Sequence, residues 1–410
     1  MKVSLKDIEQ ARAVISDVVL KTRLVESVTA SKEVGSTVLF KYENEQRTGS
    51  FKIRGALNKL RSFSDAEKKK GIVASSAGNH AQGVALAAAS EGIDCKIIMP
   101  ESAPLIKQAA TKSHGAEVVL HGQIYDEAYQ HALVVAKEEG RIFVPPFEDE
   151  KVIAGQGTIG LEIAEEAHDL DSIIVPIGGG GLISGIAIAL KELNPKIKVF
   201  GVVAENAPGM DRLFHGKTAP RGVSFKSIAD GISVKSPSQT MYDNFISKYV
   251  DDIASIGEDD IAESILFLIE REKTVVEASA AISYAGAKLG GFKLGDKTCA
   301  LLCGGNIDVN LISSIINRGL MKSGRLAQIS VIVDDQPGAL EMLAHIIAEQ
   351  GANVMDVHHD RLAPELHIRE TIIRFVLETK NEAHLESVRD ALQRSGIAQR
   401  IIQDPSSKSN

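Results

Sequence analysis

The chain has 410 residues and carries 46 Lys and Arg against 54 Asp and Glu, which gives a net charge of −8 and a pI near 5.8. At about 150 residues per domain, this length predicts two to three domains. Nucleic-acid binders normally carry a basic patch, so the acidic balance argues against a nucleic acid or an anionic membrane surface as a partner. Hydrophobic residues at 44% and charged residues at 24% are typical of soluble globular proteins, which excludes the disordered and fibrous classes.

The cysteines and the N-terminus bear on the compartment. The three cysteines, Cys95, Cys299 and Cys303, are odd in number and form no Cys-x-x-Cys pair, which argues against a disulfide framework or a zinc knuckle. The first residues are too polar for a signal peptide, and no apolar run reaches the roughly 18 residues of a membrane helix. We therefore expect a cytoplasmic protein without a membrane segment.

Up to about residue 320 the chain alternates short β-rich runs with longer Ala-rich helical stretches, which predicts βαβ units around parallel sheets. In chain order, the predicted strands are residues 71–74, 94–99, 117–120, 172–176, 198–203 and 298–302. Predicted helices between them include residues 81–89, 103–113 and 182–193. The fold class of this part is α/β.

A polar segment that contains Gly319 and Gly324 then predicts a break in the pattern, with a linker at residues 321–325. Beyond it, the pattern changes to strand, helix, strand, strand, helix, strand over residues 326–403, which is typical of a ferredoxin-like fold. The predicted strands are residues 326–333, 353–357, 371–377 and 397–402, and the predicted helices are 337–350 and 382–394. Residues 404–410 are expected to form a disordered tail.

Two motifs lie early in the α/β part. Lys52 follows Ser50, a helix-capping residue, and is therefore expected in the first turn of a helix. The helix dipole and partial burial lower the pKa of a lysine there, and an imine-forming amine requires a lowered pKa. A solvated surface lysine is the alternative. Residues 75–83 follow a strand and open a helix with Ser, Gly and Asn, which favours binding of an anion such as a carboxylate. The alternative is an ordinary capped turn.

Two further motifs follow later strands. The four glycines at 178–181 stand between a strand and a helix, where free backbone amides favour a phosphate. Neither the dinucleotide fingerprint nor a Walker A loop fits this run, so a phosphate monoester is favoured over NAD or ATP, with close packing as the alternative. Cys303 and the Gly-Gly-Asn after it follow the strand at 298–302. All four motifs lie at strand ends, where α/β proteins place their sites.

Together these motifs resemble those of the fold-type II pyridoxal-phosphate enzymes, and among them the threonine/serine dehydratases. The matching segments are Ser-Phe-Lys-Ile-Arg-Gly-Ala at 50–56, Ser-Ala-Gly-Asn-His-Ala-Gln-Gly at 76–83 and Gly-Gly-Gly-Gly-Leu at 178–182. The resemblance covers residues 5–320 and implies a two-lobed catalytic unit over residues 1–320, with a small lobe at about 45–150 inserted in the large lobe. It also implies pyridoxal 5'-phosphate as the cofactor.

The resemblance assigns roles by position. Lys52 is implied to form the Schiff base with the cofactor and to act as the catalytic base. The implied cofactor contacts are Phe51, Asn79, Gly178, Gly179, Gly180, Gly181 and Cys303, with Cys303 at the pyridine nitrogen. The implied substrate-carboxylate contacts are Ser76, Gly78, Asn79 and His80. Glu205, Gly209 and Asp211 resemble a cation loop of the family, with a solvated acidic loop as the alternative. Glu277 either approaches the cofactor or has a structural role.

The reaction implied is α,β-elimination of L-threonine or L-serine to 2-oxobutanoate or pyruvate and ammonia. A neutral thiol at the pyridine nitrogen would leave the ring a weaker electron sink than an aspartate would, which favours loss of the β-substituent. Serine racemases share most of these motifs and are the alternative. In racemases that resemble this chain a serine stands at the position of Ala77, and a methyl group cannot transfer a proton.

Residues 326–403, with Asp-Gln-Pro-Gly-Ala-Leu at 335–340, resemble an ACT domain. The resemblance implies dimerisation and an amino-acid effector near Gly338 and Asn353, with isoleucine and valine as natural effectors. A dimerisation platform without ligand is the alternative. We therefore expect a homo-oligomer, dimer or tetramer, that takes small amino acids as substrate and effector. A non-catalytic amino-acid sensor is the alternative from another class.

Overall fold

The computed structural model describes residues 1–218, 226–234, 236–364, 366–398 and 400–403. The chain forms two compact units, Met1–Ile307 and a second one that begins at Asp308. The division falls earlier than the predicted boundary at residue 320, because a helix over Val309–Lys322 belongs to the second unit and includes part of the predicted linker. The predicted tail at 404–410 lies outside the described residues. No helix of the described chain has the length and apolar character needed to cross a bilayer.

The strands of the first unit form two sheets. Their bounds are β1 (Leu24–Ser27), β2 (Thr37–Lys41), β3 (Ile72–Ser75), β4 (Cys95–Met99), β5 (Glu117–Leu120), β6 (Ile142–Phe143), β7 (Ser172–Pro176), β8 (Lys198–Ala204), β9 (Asp252–Ile256) and β10 (Lys297–Leu301). The larger sheet has the order β1-β2-β10-β7-β8-β9, with only β1 antiparallel to its neighbour, and the smaller parallel sheet has the order β5-β4-β3-β6. The predicted α/β class is confirmed.

Helices cover both sheets. Their bounds are α1 (Leu5–Ile15), α2 (Val28–Val34), α3 (Lys52–Arg61), α4 (Asp65–Lys68), α5 (Asn79–Ser90), α6 (Leu105–Ser113), α7 (Tyr125–Glu138), α8 (Glu150–Glu166), α9 (Gly181–Leu193), α10 (Gly209–Phe214), α11 (Gln239–Met241), α12 (Ser247–Tyr249), α13 (Glu258–Phe267) and α14 (Ala278–Leu289). Short 3₁₀ turns cover Glu43–Glu45 and Asp230–Ile232, and π-helical turns cover Tyr242–Ile246 and Leu268–Glu272.

Burial explains why these segments are strands and where the sheets lie. Every residue of β3 and β7 is buried, as expected for parallel strands covered by helices on both faces. Helices α8 and α9 pack backbone to backbone, since a Cβ on Gly185 would lie 2.3 Å from the Ile153 carbonyl oxygen. The polar motifs therefore emerge only where the buried strands end, at the start of α5 and α9.

After an additional helix, α15 (Val309–Lys322), the second unit has the predicted order of strand, helix, strand, strand, helix, strand. In this order, the elements are β11 (Leu326–Asp334), α16 (Ala339–Glu349), β12 (Asn353–Asp360), β13 (Glu370–Glu378), α17 (Glu382–Arg394) and β14 (Arg400–Gln403). The sheet is antiparallel in the order β12-β13-β11-β14. Alternate residues of β11 and β13 form a core with apolar residues of α16 and α17. The last strand begins at Arg400 rather than at the predicted residue 397.

Candidate active site

Backbone and side-chain hydrogen bonds bring three of the predicted motifs together. Ser50 and Gly304 form an antiparallel bridge, and the Phe51 amide donates to the Cys303 carbonyl at 3.1 Å. The side chain of Asn79, at the start of α5, donates to Glu277 at 2.7 Å. The site therefore contains residues from the ends of strands in both sheets, as the sequence predicts for α/β proteins.

Lys52 is the first residue of α3, and its side chain is half-buried. Its Nζ donates to the Pro146 carbonyl at 3.2 Å. Desolvation of the amine lowers the pKa of Lys52 to about 8, against an opposing effect of the nearby Cys303 and Glu277. An amine with one backbone partner and a lowered pKa has the properties that an imine-forming lysine requires.

In the turn from Ser75 to His80, the backbone amides of Ala77, Asn79 and His80 have no acceptor among the described residues, whereas the Ser76 amide donates to the Ile98 carbonyl. Helix α5 begins without a side-chain cap, and within the turn the Gly78 amide donates to Ser76 Oγ at 3.1 Å. Burial, together with Lys52, lowers the pKa of His80 to about 3, so the ring is neutral. Its Nε2 lies 3.0 Å from the Val144 carbonyl and therefore carries the proton. The His80 side chain is thus already engaged, and its backbone remains for a carboxylate.

The glycine loop lies under the ring of Phe147. A Cβ on Gly179 would lie 2.2 Å from that ring, and Gly180 has a φ of +96° at the N-cap of α9. No acceptor in the described chain receives a hydrogen bond from the backbone amides of Gly178, Gly179 or Gly180. Free amides at an uncapped helix terminus are the donors that a phosphate group requires, and phosphate binding by this loop stays a prediction.

Cys303 and Glu277 share a buried pocket beside Lys52. Cys303 Sγ donates to the Ser279 carbonyl at 3.3 Å, and burial together with Glu277 raises the pKa of this thiol well above its ordinary value. The thiol is therefore neutral, as predicted for the group facing a pyridine nitrogen. Burial also raises the pKa of Glu277, although its hydrogen bonds from Ser279 at 2.5 Å and Asn79 at 2.7 Å oppose the shift.

The structure adds residues to which the sequence assigned no role. Asn306 Nδ2 donates to Asn79 Oδ1 and to the Thr48 carbonyl, both at 2.8 Å. Asn306 stands in the segment after Cys303, so its place at a strand end was a signal, but its partners could not be read from the sequence. The sequence around Phe147 did not indicate a role in the site, because only the fold brings this residue to the glycine loop.

Three buried hydroxyls without a hydrogen-bond partner accompany the motifs. They belong to Ser50, Ser75 and Ser184, each less than 2% exposed and each within three residues of a predicted motif. Buried polar atoms are normally paired, so unpaired hydroxyls beside free amides indicate that a polar ligand completes the site. The described residues fit a phosphate-bearing cofactor held next to Lys52.

The predicted cation loop has no such support. Asp211 accepts from Ser255 Oγ at 2.8 Å and contacts His215 Nδ1 at 2.9 Å. Within the described ranges, no group of three or more His, Cys, Asp or Glu side chains is arranged to hold a metal ion. Binding of a cation by Glu205, Gly209 and Asp211 stays a prediction.

The predicted effector residues lie in the second unit. Gly338 caps α16 with a φ of +91° and has open space where a Cβ would stand. Asn353 begins β12, and its Nδ2 donates to Glu378 Oε2 at 3.2 Å. Both positions are therefore open to a ligand, and their role stays a prediction.

Comparison with known proteins identifies relatives over the whole chain. A profile of the pyridoxal-phosphate-dependent enzymes matches residues 15–304. An L-threonine ammonia-lyase from Thermotoga maritima is 46% identical over 400 residues, which cover 98% of this chain and 100% of the relative. The catabolic L-threonine dehydratase TdcB of Escherichia coli K12 is 46% identical over 318 residues, 77% of this chain and 96% of the relative. Maize serine racemase has a similar structure, with a TM-score of 0.73 and 31% identity over 78% of this chain and 99% of that one.

Proposed function

Since the chain belongs to the family of pyridoxal-phosphate-dependent enzymes, we propose that it eliminates water from L-threonine and L-serine. The products are 2-oxobutanoate or pyruvate, together with ammonia. The observation that carries the proposal is the Lys52 amine, which has a lowered pKa and donates to the Pro146 carbonyl. The next residue, Phe147, lies against the glycine loop, whose backbone amides are free among the described residues. Relatives named L-threonine ammonia-lyase and L-threonine dehydratase support the choice of substrate.

The amides of Gly178, Gly179 and Gly180 are free donors and would hold the phosphate of the cofactor. Cys303, whose thiol donates to the Ser279 carbonyl, would face the pyridine nitrogen. When bound, pyridoxal phosphate supplies an electron sink for the electrons left at the substrate α-carbon. Because the Cys303 thiol is neutral, it adds no positive charge to that sink, which favours expulsion of the β-hydroxyl.

The chain's own residues bind the substrate and move its proton. The uncapped start of α5, at Ser76, Gly78 and Asn79, presents backbone and side-chain donors to the substrate carboxylate. The neutral His80 leaves this end of the site without a second cation. Lys52 removes the proton from the α-carbon, since a pKa of about 8 leaves part of its amine neutral at physiological pH.

Serine racemisation is the competing reaction, because maize serine racemase has a similar fold. Racemisation requires a second acid or base on the face opposite Lys52. Ala77 stands in the carboxylate-binding turn, is half-buried and packs against the apolar core of the small lobe. It offers no proton, which supports elimination. Ala77→Ser is the direct test: we expect D-serine to form from L-serine only in this variant.

The deciding experiment measures keto-acid release from L-threonine and L-serine by the holoenzyme, together with chiral analysis of the remaining serine. We expect 2-oxobutanoate and pyruvate, with little D-serine. Lys52→Ala should abolish both the long-wavelength absorbance band of the bound cofactor and the keto acids. Substantial D-serine from the wild type would favour racemisation. A colourless protein that releases no keto acid would favour an amino-acid sensor.

We further propose that the second unit is an ACT domain that binds isoleucine or valine near Gly338 and Asn353. Support comes from its ferredoxin-like strand order and from the match to Thermotoga maritima L-threonine ammonia-lyase over the whole chain. An effector acts only if it binds two states of the enzyme unequally. The keto-acid assay repeated with each amino acid tests regulation, and calorimetry on Asn353→Ala tests the site.

The remaining expectations are also proposals. We propose a homo-oligomer, dimer or tetramer, in the cytoplasm, with a cation at Glu205, Gly209 and Asp211 as an optional ligand. Light scattering gives the molar mass of the assembly. Thermal unfolding with and without chelator reports whether a cation stabilises the enzyme.

A further inference from the structure

Asn79 is held between two partners that differ in hydrogen-bonding character. On one side, its Nδ2 donates to Glu277 Oε1 at 2.7 Å. On the other side, its Oδ1 accepts from Asn306 Nδ2 at 2.8 Å. The second hydrogen of Asn306 Nδ2 goes to the Thr48 carbonyl, also at 2.8 Å. A carbonyl only accepts, so the Asn306 amide cannot be turned without losing that bond.

This arrangement permits one orientation of the Asn79 amide. If the amide turned by 180°, its NH₂ would face the NH₂ of Asn306 and its oxygen would face the Glu277 carboxyl. Both contacts would lose their hydrogen bonds. In the observed orientation, Nδ2 uses one hydrogen on Glu277 and keeps a second, for which no acceptor is present among the described residues.

The side chains of Glu277 and Asn306 each lie against a glycine of the backbone. A Cβ on Gly304 would lie 2.5 Å from Glu277 Oε1 and 3.1 Å from Asn79 Nδ2. A Cβ on Gly49 would lie 2.7 Å from Asn306 Oδ1, and Gly49 has a φ of +68°. A side chain at Gly304 would therefore collide with Glu277, and a side chain at Gly49 would collide with Asn306.

We propose that Glu277 and Asn306 are positioning residues that fix the Asn79 amide with its free N–H directed at the ring oxygen of the cofactor. The inference rests on the proposed function, in which Asn79 contacts that oxygen. A fixed donor keeps the ring oxygen as a hydrogen-bond acceptor, and a turned amide would present a lone pair instead. Neither positioning residue needs to touch the substrate.

Asn306→Asp tests the orientation through pH. At low pH the protonated Asp side chain still donates one hydrogen to Asn79, as Asn306 does. As pH rises, the carboxylate becomes an acceptor and faces the Asn79 oxygen. We expect the dissociation constant of pyridoxal phosphate, measured by titrating apoprotein and following absorbance, to rise about tenfold relative to wild type between acidic and alkaline pH. Taking the ratio to wild type at each pH removes the titration of Lys52.

Asn244→Asp is the matched control. Asn244 also donates through Nδ2 to a backbone carbonyl, that of Thr240 at 2.7 Å, in an exposed position. Its variant makes the same chemical change away from the Asn79 amide, so its ratio to wild type should stay constant with pH. A constant ratio for Asn306→Asp as well would overturn the proposal.

The double variant Asn306→Asp/Glu277→Gln separates positioning from folding. The Gln side chain can turn and donate to the Asn79 oxygen, so a reversed Asn79 amide has both partners satisfied. We expect the thermal stability at alkaline pH to return towards the wild-type value, while cofactor affinity and the absorbance band remain altered. Recovery of both together, or of neither, would overturn the proposal. A wild-type protein that binds no pyridoxal phosphate would instead refute the proposed function.

Discussion

Arg54 holds together four buried charges, and its replacement by methionine should be strongly destabilising. Its Nη2 lies 2.7 Å from Glu43, its Nη1 lies 2.6 Å from Glu162, and Glu162 also binds Lys41 at 2.7 Å. The four side chains are 0–9% exposed. Although burial alone would lower it, the two carboxylates raise the pKa of Arg54 above its ordinary value. The group is thus neutral overall and its charges are paired.

Methionine keeps most of the side-chain volume and removes the charge, so the loss is electrostatic rather than a cavity. Two buried carboxylates then share one ammonium. Removing one partner of a buried ion pair lowers the free energy of unfolding by about 3–5 kcal/mol. For the unit Met1–Ile307, an unfolding entropy of about 2.1 cal/mol/K per residue converts this loss into a fall of about 5–8 °C in Tm.

The penalty should depend on pH with a defined sign. In the variant, the uncompensated carboxylate takes up a proton more readily in the folded than in the unfolded chain. The folded state then binds more protons, so its stability relative to wild type increases as pH falls. We therefore expect the difference in the free energy of unfolding between wild type and variant to be larger at about pH 8 than at about pH 5.5.

Denaturant unfolding at fixed protein concentration measures the effect, with Arg23→Met as the control. Arg23 and Glu45 form an exposed pair at 2.7 Å, with side chains 45% and 41% exposed. Exposed pairs of this kind contribute about 0–1 kcal/mol. If Arg54→Met were no more destabilising than Arg23→Met, or if its penalty did not change with pH, the reasoning from burial would be refuted.

Three further outcomes follow from the site. Burial lowers the pKa of Lys52 to about 8. The rate at which apoprotein captures pyridoxal phosphate, measured by borohydride trapping and mass spectrometry, should therefore reach half its maximum near that pH. A midpoint near pH ~10 would contradict this prediction. Gly179→Ala places a methyl group against the Phe147 ring and should raise the cofactor dissociation constant at least about tenfold. Phe147→Ala in the same chain should recover part of that loss, and no recovery would place the clash elsewhere. All three cysteine thiols are buried with raised pKa values, so alkylation should require unfolding, and fast labelling of native protein would refute this.

The sequence predicted the features of the site that depend on local chemistry. Asn79 and the glycines at 178–181 stand where β3 and β7 end, and the structure has α5 and α9 starting at those points. Lys52 opens α3, as predicted, although β2 ends earlier, at Lys41. These starting points were predictable because strand ends and helix starts have local sequence signals.

The contacts between these motifs could not be predicted in the same way. Phe147 lies against Gly179, and Asn306 lies against Thr48, only because the sheets bring distant segments together. Secondary structure failed where the pattern was ambiguous. Gly319 in a polar segment indicated a break, yet a glycine costs a helix only about 1 kcal/mol, and α15 continues through it to Lys322.

The Arg54 guanidinium and the Lys52 amine both lie on α3. Their contacts explain how the fold tolerates a lysine with few hydrogen bonds. Arg54 satisfies all three of its side-chain nitrogens through Glu43, Glu162, the Thr158 hydroxyl and the Leu20 carbonyl. Two residues earlier, the Lys52 amine has one hydrogen-bond partner among the described residues, the Pro146 carbonyl. An under-solvated amine destabilises the fold unless its helix is fixed by other contacts. The ion pairs of Arg54 fix α3 to α8 and to the 3₁₀ turn at Glu43–Glu45. The end of the helix that carries Lys52 can therefore remain incompletely hydrogen-bonded and open to the cofactor.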